Sequence, residues 1–114
     1  SDEKENPIGD TTLFQLIAAF DQVLLKQTYK LPYKRLEVEV STVEETIEEL
    51  LELLRSNNGK IMFSELFVHN QSRQHLILTF LGILDLVKQN AIFCHQAENF
   101  QDIELTYNAQ WGEN

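Results

Sequence analysis

The sequence predicts a mainly α domain that carries a small β hairpin. Three observations support this. Before residue 91, apolar residues recur at helical spacing in three stretches, each opened by a residue able to cap a helix. After it, the pattern switches to alternation, in two short stretches separated by a turn. The two prolines, Pro7 and Pro32, fall outside all of these stretches.

Residues 1–10 are polar, charged and interrupted by Pro7 and Gly9, the composition of a disordered tail. Asp10 is placed to cap a first helix over 11–27. There Leu13, Leu16, Ile17, Phe20, Val23 and Leu24 form one stripe, while Phe14, Ala18 and Leu25 begin a second patch on another side. A helix this apolar does not stay alone in water. It docks on the domain, on a second copy or on a partner. Residues 28–40 read as a linker, because Pro32 bars a continuing helix and Leu36, Val38 and Val40 alternate with Glu37 and Glu39. Lys26, Lys30, Lys34 and Arg35, with Tyr29 and Tyr33, superficially suggest nucleic-acid contact. The charges are few and the neighbourhood acidic, so a solvated linker is the better reading.

Ser41 and Glu44 fit a capping box, repeated one residue on by Thr42 and Glu45. The helix they open, through Arg55, turns Val43, Ile47, Leu50, Leu51 and Leu54 inward and Glu44, Glu45, Glu48, Glu49 and Glu52 to water. Asn57, Asn58 and Gly59 signal a turn. A short strand over 60–63 follows, then a brief helix opened by Ser64, and His69, Asn70 and Gln71 turn into the longest helical stretch.

That stretch, 72–90, organises the chain. Ser72 can cap it, Lys88 suits its last turn, and Asn90 tolerates the left-handed closing position. At about 100° per residue, Leu76, Ile77, Phe80, Leu81, Ile83, Leu84 and Val87 share one broad face, the expected core side. Leu78, Gly82 and Leu86 form a second, narrow stripe, with a notch at Gly82 where another backbone could approach. Either another segment of this chain covers that stripe or a partner does. Beyond it, 91–96 alternates Ile92 and Cys94 against Phe93 and His95. After a turn, the strand over 102–107 carries Ile103, Leu105 and Tyr107 on one face. Residues 108–114 are a polar tail apart from Trp111.

Over 41–107 the order is helix, short strand, short helix, long helix and two strands. That is a winged helix-turn-helix, here preceded by an extra N-terminal helix. Most such domains place the second helix of the turn in the DNA major groove. Charge opposes that role here. The chain carries a net charge of −9, and residues 41–114 hold eleven acids against four basic residues. The first turn of the long helix offers one arginine, Arg73, and the wing over 96–102 holds Glu98 and Asp102 with no Lys or Arg. A protein-binding winged helix is favoured. The alternative is a DNA-binding transcription regulator, with 11–27 as its dimerisation helix.

Chemistry is sparse. His69, His75 and His95 lie on different kinds of element and lack ligand spacing with Cys94, and no phosphate loop or nucleophile elbow is present. No enzyme activity, cofactor or metal is expected. The lone Cys94 excludes an internal disulfide, fits a reducing compartment and reads as a small buried side chain. No apolar run is long enough to span a bilayer, and the polar, acidic N-terminus is no signal peptide, so the cytoplasm is the default location. A start at Ser1 rather than Met leads us to expect a piece of a longer protein. The candidate partner-binding residues are Leu78, Gly82 and Leu86 of the narrow stripe, and Phe93, His95, Phe100 and Tyr107 of the hairpin. Some of these are expected to be core.

The run SRQHLILTFLGILDLVKQNAIFCHQAENFQDIEL resembles the C-terminal region of bacterial segregation and condensation protein A, the kleisin of the SMC condensin complex. The resemblance rests on Ser72, Arg73, Thr79, Phe80, Leu81, Leu84, Leu86, Gln96, Glu98, Phe100, Asp102 and Ile103. The upstream runs TVEETIEELLELLRSNNGKIMFSELF and LFQLIAAFDQVL suit it too, so it covers 11–107. It departs at Gln101, where the family usually has Gly, and at Gly82, where it usually has Ala. The resemblance implies a non-catalytic bridging subunit for chromosome condensation and segregation, cytoplasmic and associated with the nucleoid through its complex. Its winged helix would dock on the SMC ATPase head. A dimer of segregation and condensation protein B would be bound by regions largely upstream of this chain, and direct DNA binding is not implied.

Overall fold

Local signals set the ends of each element. The computed structural model describes residues 10–28, 42–70, 72–99 and 101–112. The expected tail over 1–9, most of the expected linker, and the wing residue Phe100 lie outside the described residues. Helix α1 spans Asp10–Thr28. Helix α2, Val43–Ser56, starts at the second of the two capping-box patterns. The Thr42 hydroxyl accepts from the Glu45 backbone N–H at 3.0 Å, and the Glu45 carboxylate accepts from the Thr42 N–H at 2.9 Å. It ends in a left-handed turn through Asn58 and Gly59, with φ of 61° and 82°. Strand β1, Lys60–Met62, leads directly into a 3-10 helix, Phe63–Phe67. Helix α3, Arg73–Lys88, is capped by the Ser72 hydroxyl, which accepts from the His75 N–H. It closes where Asn90 takes a φ of 65°.

Strands β2, Ile92–His95, and β3, Glu104–Tyr107, form the wing hairpin, and β1 joins its far edge in the antiparallel order β1-β3-β2. Ile61 and Cys94 both pair with Leu105, which fixes the register on a buried residue of the central strand. Asp102 ties the wing to the helix-turn. Its carboxylate accepts from the Ser64 N–H and hydroxyl and from the Ile103 N–H. The stretch after β3 also packs back. The Asn108 side chain donates to the Asn90 carbonyl, and Trp111 meets Tyr107 edge-to-face at 6.4 Å.

The core centres on Phe63, Phe67, Leu76, Ile83, Leu86, Ile92, Ile103 and Leu105. Helix α1 docks on it through buried Leu16 and Val23 and through a cluster of four phenylalanines. Phe20 stacks on Phe80 with ring centres 4.2 Å apart and planes 3° from parallel, and it also meets Phe67 at 5.5 Å. Phe63 closes the cluster against Phe67 and Phe80. Burying Leu16 and Val23 contributes about 1.5–3 kcal/mol each. The ring stack adds about 0.5–1.5 kcal/mol, so burial holds the helix and the stack orients it.

Two expectations about helix phase need correction. On α3 the buried residues are Leu76, Thr79, Gly82, Ile83, Leu86 and Val87, whereas Ile77 and Leu81 are 42% and 43% exposed. The buried arc is turned about 100°, one residue step, from the broad apolar face. The cause is the tight approach of α2, which needs small groups at the crossing. A Cβ added at Gly82 would lie 2.9 Å from Leu50 Cδ1 and 3.5 Å from Thr46 Cγ2. On α1, Ile17 faces out beside Phe14, Ala18 and Leu25 instead of lying in the core stripe.

Candidate interaction surface

The narrow stripe expected on the long helix does not reach the surface as a unit. Gly82 and Leu86 are interior, covered by this chain's own packing, and cannot face a partner in this structure. Leu78 is half-buried. In the wing, Phe93 and His95 are exposed on the side of β2 opposite Ile92 and Cys94, as alternation requires. Tyr107 is half-buried against Trp111. The hairpin therefore offers Phe93 and His95, and the long helix offers different residues from those expected.

Those residues are Ile77 and Leu81, one helical turn apart. Leu81 and Ile77 flank Phe80, the residue on which α1 stacks, so their strip runs beside the docked helix. Around the same exposed side lie Arg73 and Gln74 at its start and Lys88 at its end. In a groove-reading helix-turn-helix the exposed side of the second helix enters the major groove, led by its N-terminal residues. Here the centre of that side is aliphatic. A signal for it was present in the sequence. Seven apolar residues spread over one face exceed what a single core contact covers, and the surplus is Ile77 and Leu81.

Helix α1 leaves a second strip uncovered, in which Phe14, Ile17, Ala18 and Leu25 flank Asp21. Phe14 is 67% exposed, far more than a packed phenylalanine. Elsewhere, among the described residues, the exposed glutamates of α2 make one ion pair, Glu52–Arg55, on a solvated face. His69 and His75 line one cavity together, and His95 sits apart on the wing. Among the described residues, no group of three or more His, Cys, Asp or Glu is arranged to hold a metal ion. Burial pushes the Cys94 thiol up to about 12, which keeps it protonated and unreactive. Among the described residues, no helix is long and apolar enough to cross a membrane.

The fold is thus that of a winged-helix domain whose groove-facing helix presents aliphatic side chains. Residues 3–108 match the family model described as segregation and condensation protein ScpA, and the chain belongs to that family. It is 37% identical over 103 residues to segregation and condensation protein A of Halalkalibacterium halodurans, covering 90% of this chain and 39% of that protein. It is 31% identical over 110 residues to the protein of the same name from Brevibacillus brevis, covering 96% of this chain and 43% of the relative. With the Bacillus subtilis protein of that name it shares 31% over 96 residues, 83% of this chain and 38% of the relative. The chain therefore spans about two-fifths of the length of these relatives.

Proposed function

We propose that this chain is the head-docking region of a kleisin-type subunit in an SMC condensin complex. It acts in chromosome condensation and segregation, in the cytoplasm, without catalysis of its own. The observation that carries this reading is the aliphatic centre of the exposed α3 face. A helix that read a phosphate-lined groove would place basic and polar residues where Ile77 and Leu81 stand. Exposed Ile, Leu and Phe side chains instead gain free energy by leaving water against another protein.

In this reading the SMC ATPase head covers Ile77 and Leu81 of α3, with Phe93 and His95 of the wing contributing beside them. Leu78 lies at the margin of that contact, and Phe100, at the wing tip in sequence, is a further candidate. A dimer of segregation and condensation protein B is the second partner, bound mainly by parts of the full-length subunit upstream of this chain. Direct binding to duplex DNA is not part of the function, because the chain's net charge of −9 repels phosphate.

The test pairs two titrations of the same chain, one with an isolated SMC ATPase head and one with labelled duplex DNA at low salt. A saturable complex with the head and none with the duplex is expected. Tight, steeply salt-dependent duplex binding without head binding would replace this reading with that of a winged-helix transcription regulator.

A further inference from the structure

We infer that Asn58, in the turn between α2 and β1, is a site of spontaneous deamidation that the fold holds closed, so that modification marks chains whose turn has opened. Asn58 is the one asparagine in the sequence followed by glycine, and it is exposed. Both residues of the pair take left-handed backbone angles, with φ of 61° and 82°. Asparagine tolerates that region better than most residues, and glycine enters it freely. The turn that closes α2 therefore calls for the pair with the least steric protection, because glycine places no side chain beside the attacking nitrogen.

The reaction needs water and no other reagent. The Gly59 backbone nitrogen attacks Asn58 Cγ, and the new N–Cγ bond closes a succinimide ring. The Cγ–Nδ2 bond breaks, and ammonia leaves with the proton that the Gly59 nitrogen gave up. Water then opens the ring. Cleavage at Cγ leaves an aspartate on an ordinary backbone. Cleavage at the main-chain carbonyl carbon leaves an isoaspartate, whose main chain runs through the side-chain carbons and is one atom longer.

The folded turn withholds the attacking nitrogen. Its N–H donates to the Leu54 carbonyl at 2.6 Å, and the Gly59 carbonyl accepts from the Tyr107 N–H at 2.7 Å. The first bond holds the proton that must be lost, and the pair pins Gly59 between the end of α2 and the end of β3. The Asn57 N–H and side-chain amide both donate to the Leu53 carbonyl and steady the same helix end. Attack therefore waits for local opening, and its rate follows the population of the open turn. The extra main-chain atom of an isoaspartate would displace Gly59 from Leu54 or Tyr107, beside the pairing of Lys60 with Thr106. The inference does not rest on head docking.

The test follows position 58 by peptide-mapping mass spectrometry, with isoaspartate detected by an isoaspartyl methyltransferase. The folded 114-residue chain and a capped peptide of residues 53–64 are aged in the same mildly alkaline buffer. The peptide should be modified faster than the folded chain by about tenfold or more, which corresponds to an opening cost above about 1.4 kcal/mol. The full chain aged in urea should approach the rate of the peptide. After urea is removed, the isoaspartate-bearing chain should melt below Asn58→Asp, which carries the same charge on an ordinary backbone and should melt close to the parent. Three results would overturn the inference: equal rates in the folded chain and the peptide, no modification of Asn58 in the peptide, or equal melts for the isoaspartate-bearing chain and Asn58→Asp.

Discussion

Gly82 of α3 packs against Leu50 of α2, where a single added carbon would come within 2.9 Å of the Leu50 Cδ1 methyl. Glycine at 82 weakens the helix by about 1 kcal/mol relative to alanine. Gly82→Ala recovers that amount and gives part of it back by pushing the terminal methyl of Leu50, so its stability should fall within about 1 kcal/mol of the parent. Gly82→Leu has no such outlet and should lower stability by about 3 kcal/mol. Denaturant melts of the two variants check this. A leucine variant as stable as the parent would mean the two helices are not in this contact.

Phe20 couples α1 to the winged helix through its stack on Phe80. Phe20→Ala should loosen the docking of α1, which Leu16 and Val23 still anchor, without unfolding the rest, because Phe63, Phe67 and Ile83 remain packed around α3. Hydrogen exchange reads this directly. Amides of α1 should lose protection by about tenfold or more, as expected for a loss above about 1.4 kcal/mol, while Leu76–Val87 amides keep theirs. Equal loss in both helices would show one cooperative unit.

Asp102 reaches back across the fold to the first turn of the 3-10 helix. Asp102→Ala removes acceptors for Ser64 and Ile103 and should cost about 1–2 kcal/mol. Asp102→Asn keeps an acceptor and should recover much of that, by thermal melt. Identical melts for the parent and the alanine variant would remove this tie from the account.

Most of the architecture is legible in the sequence because it is set by local chemistry. Thr42 with Glu45, Ser72, and the Asn58-Gly59 turn act within a few residues, and the structure uses each of them. Hairpin alternation likewise grouped Ile92 with Cys94 and Ile103 with Leu105 and Tyr107, and the structure buries Ile92, Ile103 and Leu105. The rotational setting of α3 depends on something non-local. Thr79 and Gly82 are buried because α2 crosses there, and no hydropathy pattern ranks a threonine and a glycine above Ile77 and Leu81. That is why Gly82 and Leu86 were candidates for a partner surface and turn out interior. The phenylalanine cluster was equally hidden, since Phe20, Phe63, Phe67 and Phe80 come from three separate elements.

Cys94 supplies a pH-dependent test. Its folded-state pKa is raised by burial from 9.0 to about 12, so the folded chain holds the proton more tightly than the unfolded one. The associated stability is fully present below pH 9.0 and is lost as pH rises toward about 12. Cys94→Ala should therefore show a flatter fall in stability than the parent across that window. Disulfide-exchange labelling of the parent at neutral pH should also be slow until the chain unfolds. Parallel pH profiles, or rapid labelling of the folded protein, would place the thiol in water.

If the aliphatic face of α3 docks a protein, as proposed, carboxylates placed on it must weaken that docking. The doubly substituted chain, Ile77→Glu with Leu81→Glu, is titrated by calorimetry against an isolated SMC ATPase head beside the parent. Both side chains are substantially exposed, so the thermal melt should stay close to the parent. Two carboxylates forced into an apolar contact should weaken head binding by about a hundredfold or more. Unchanged head affinity with an intact fold would contradict the account.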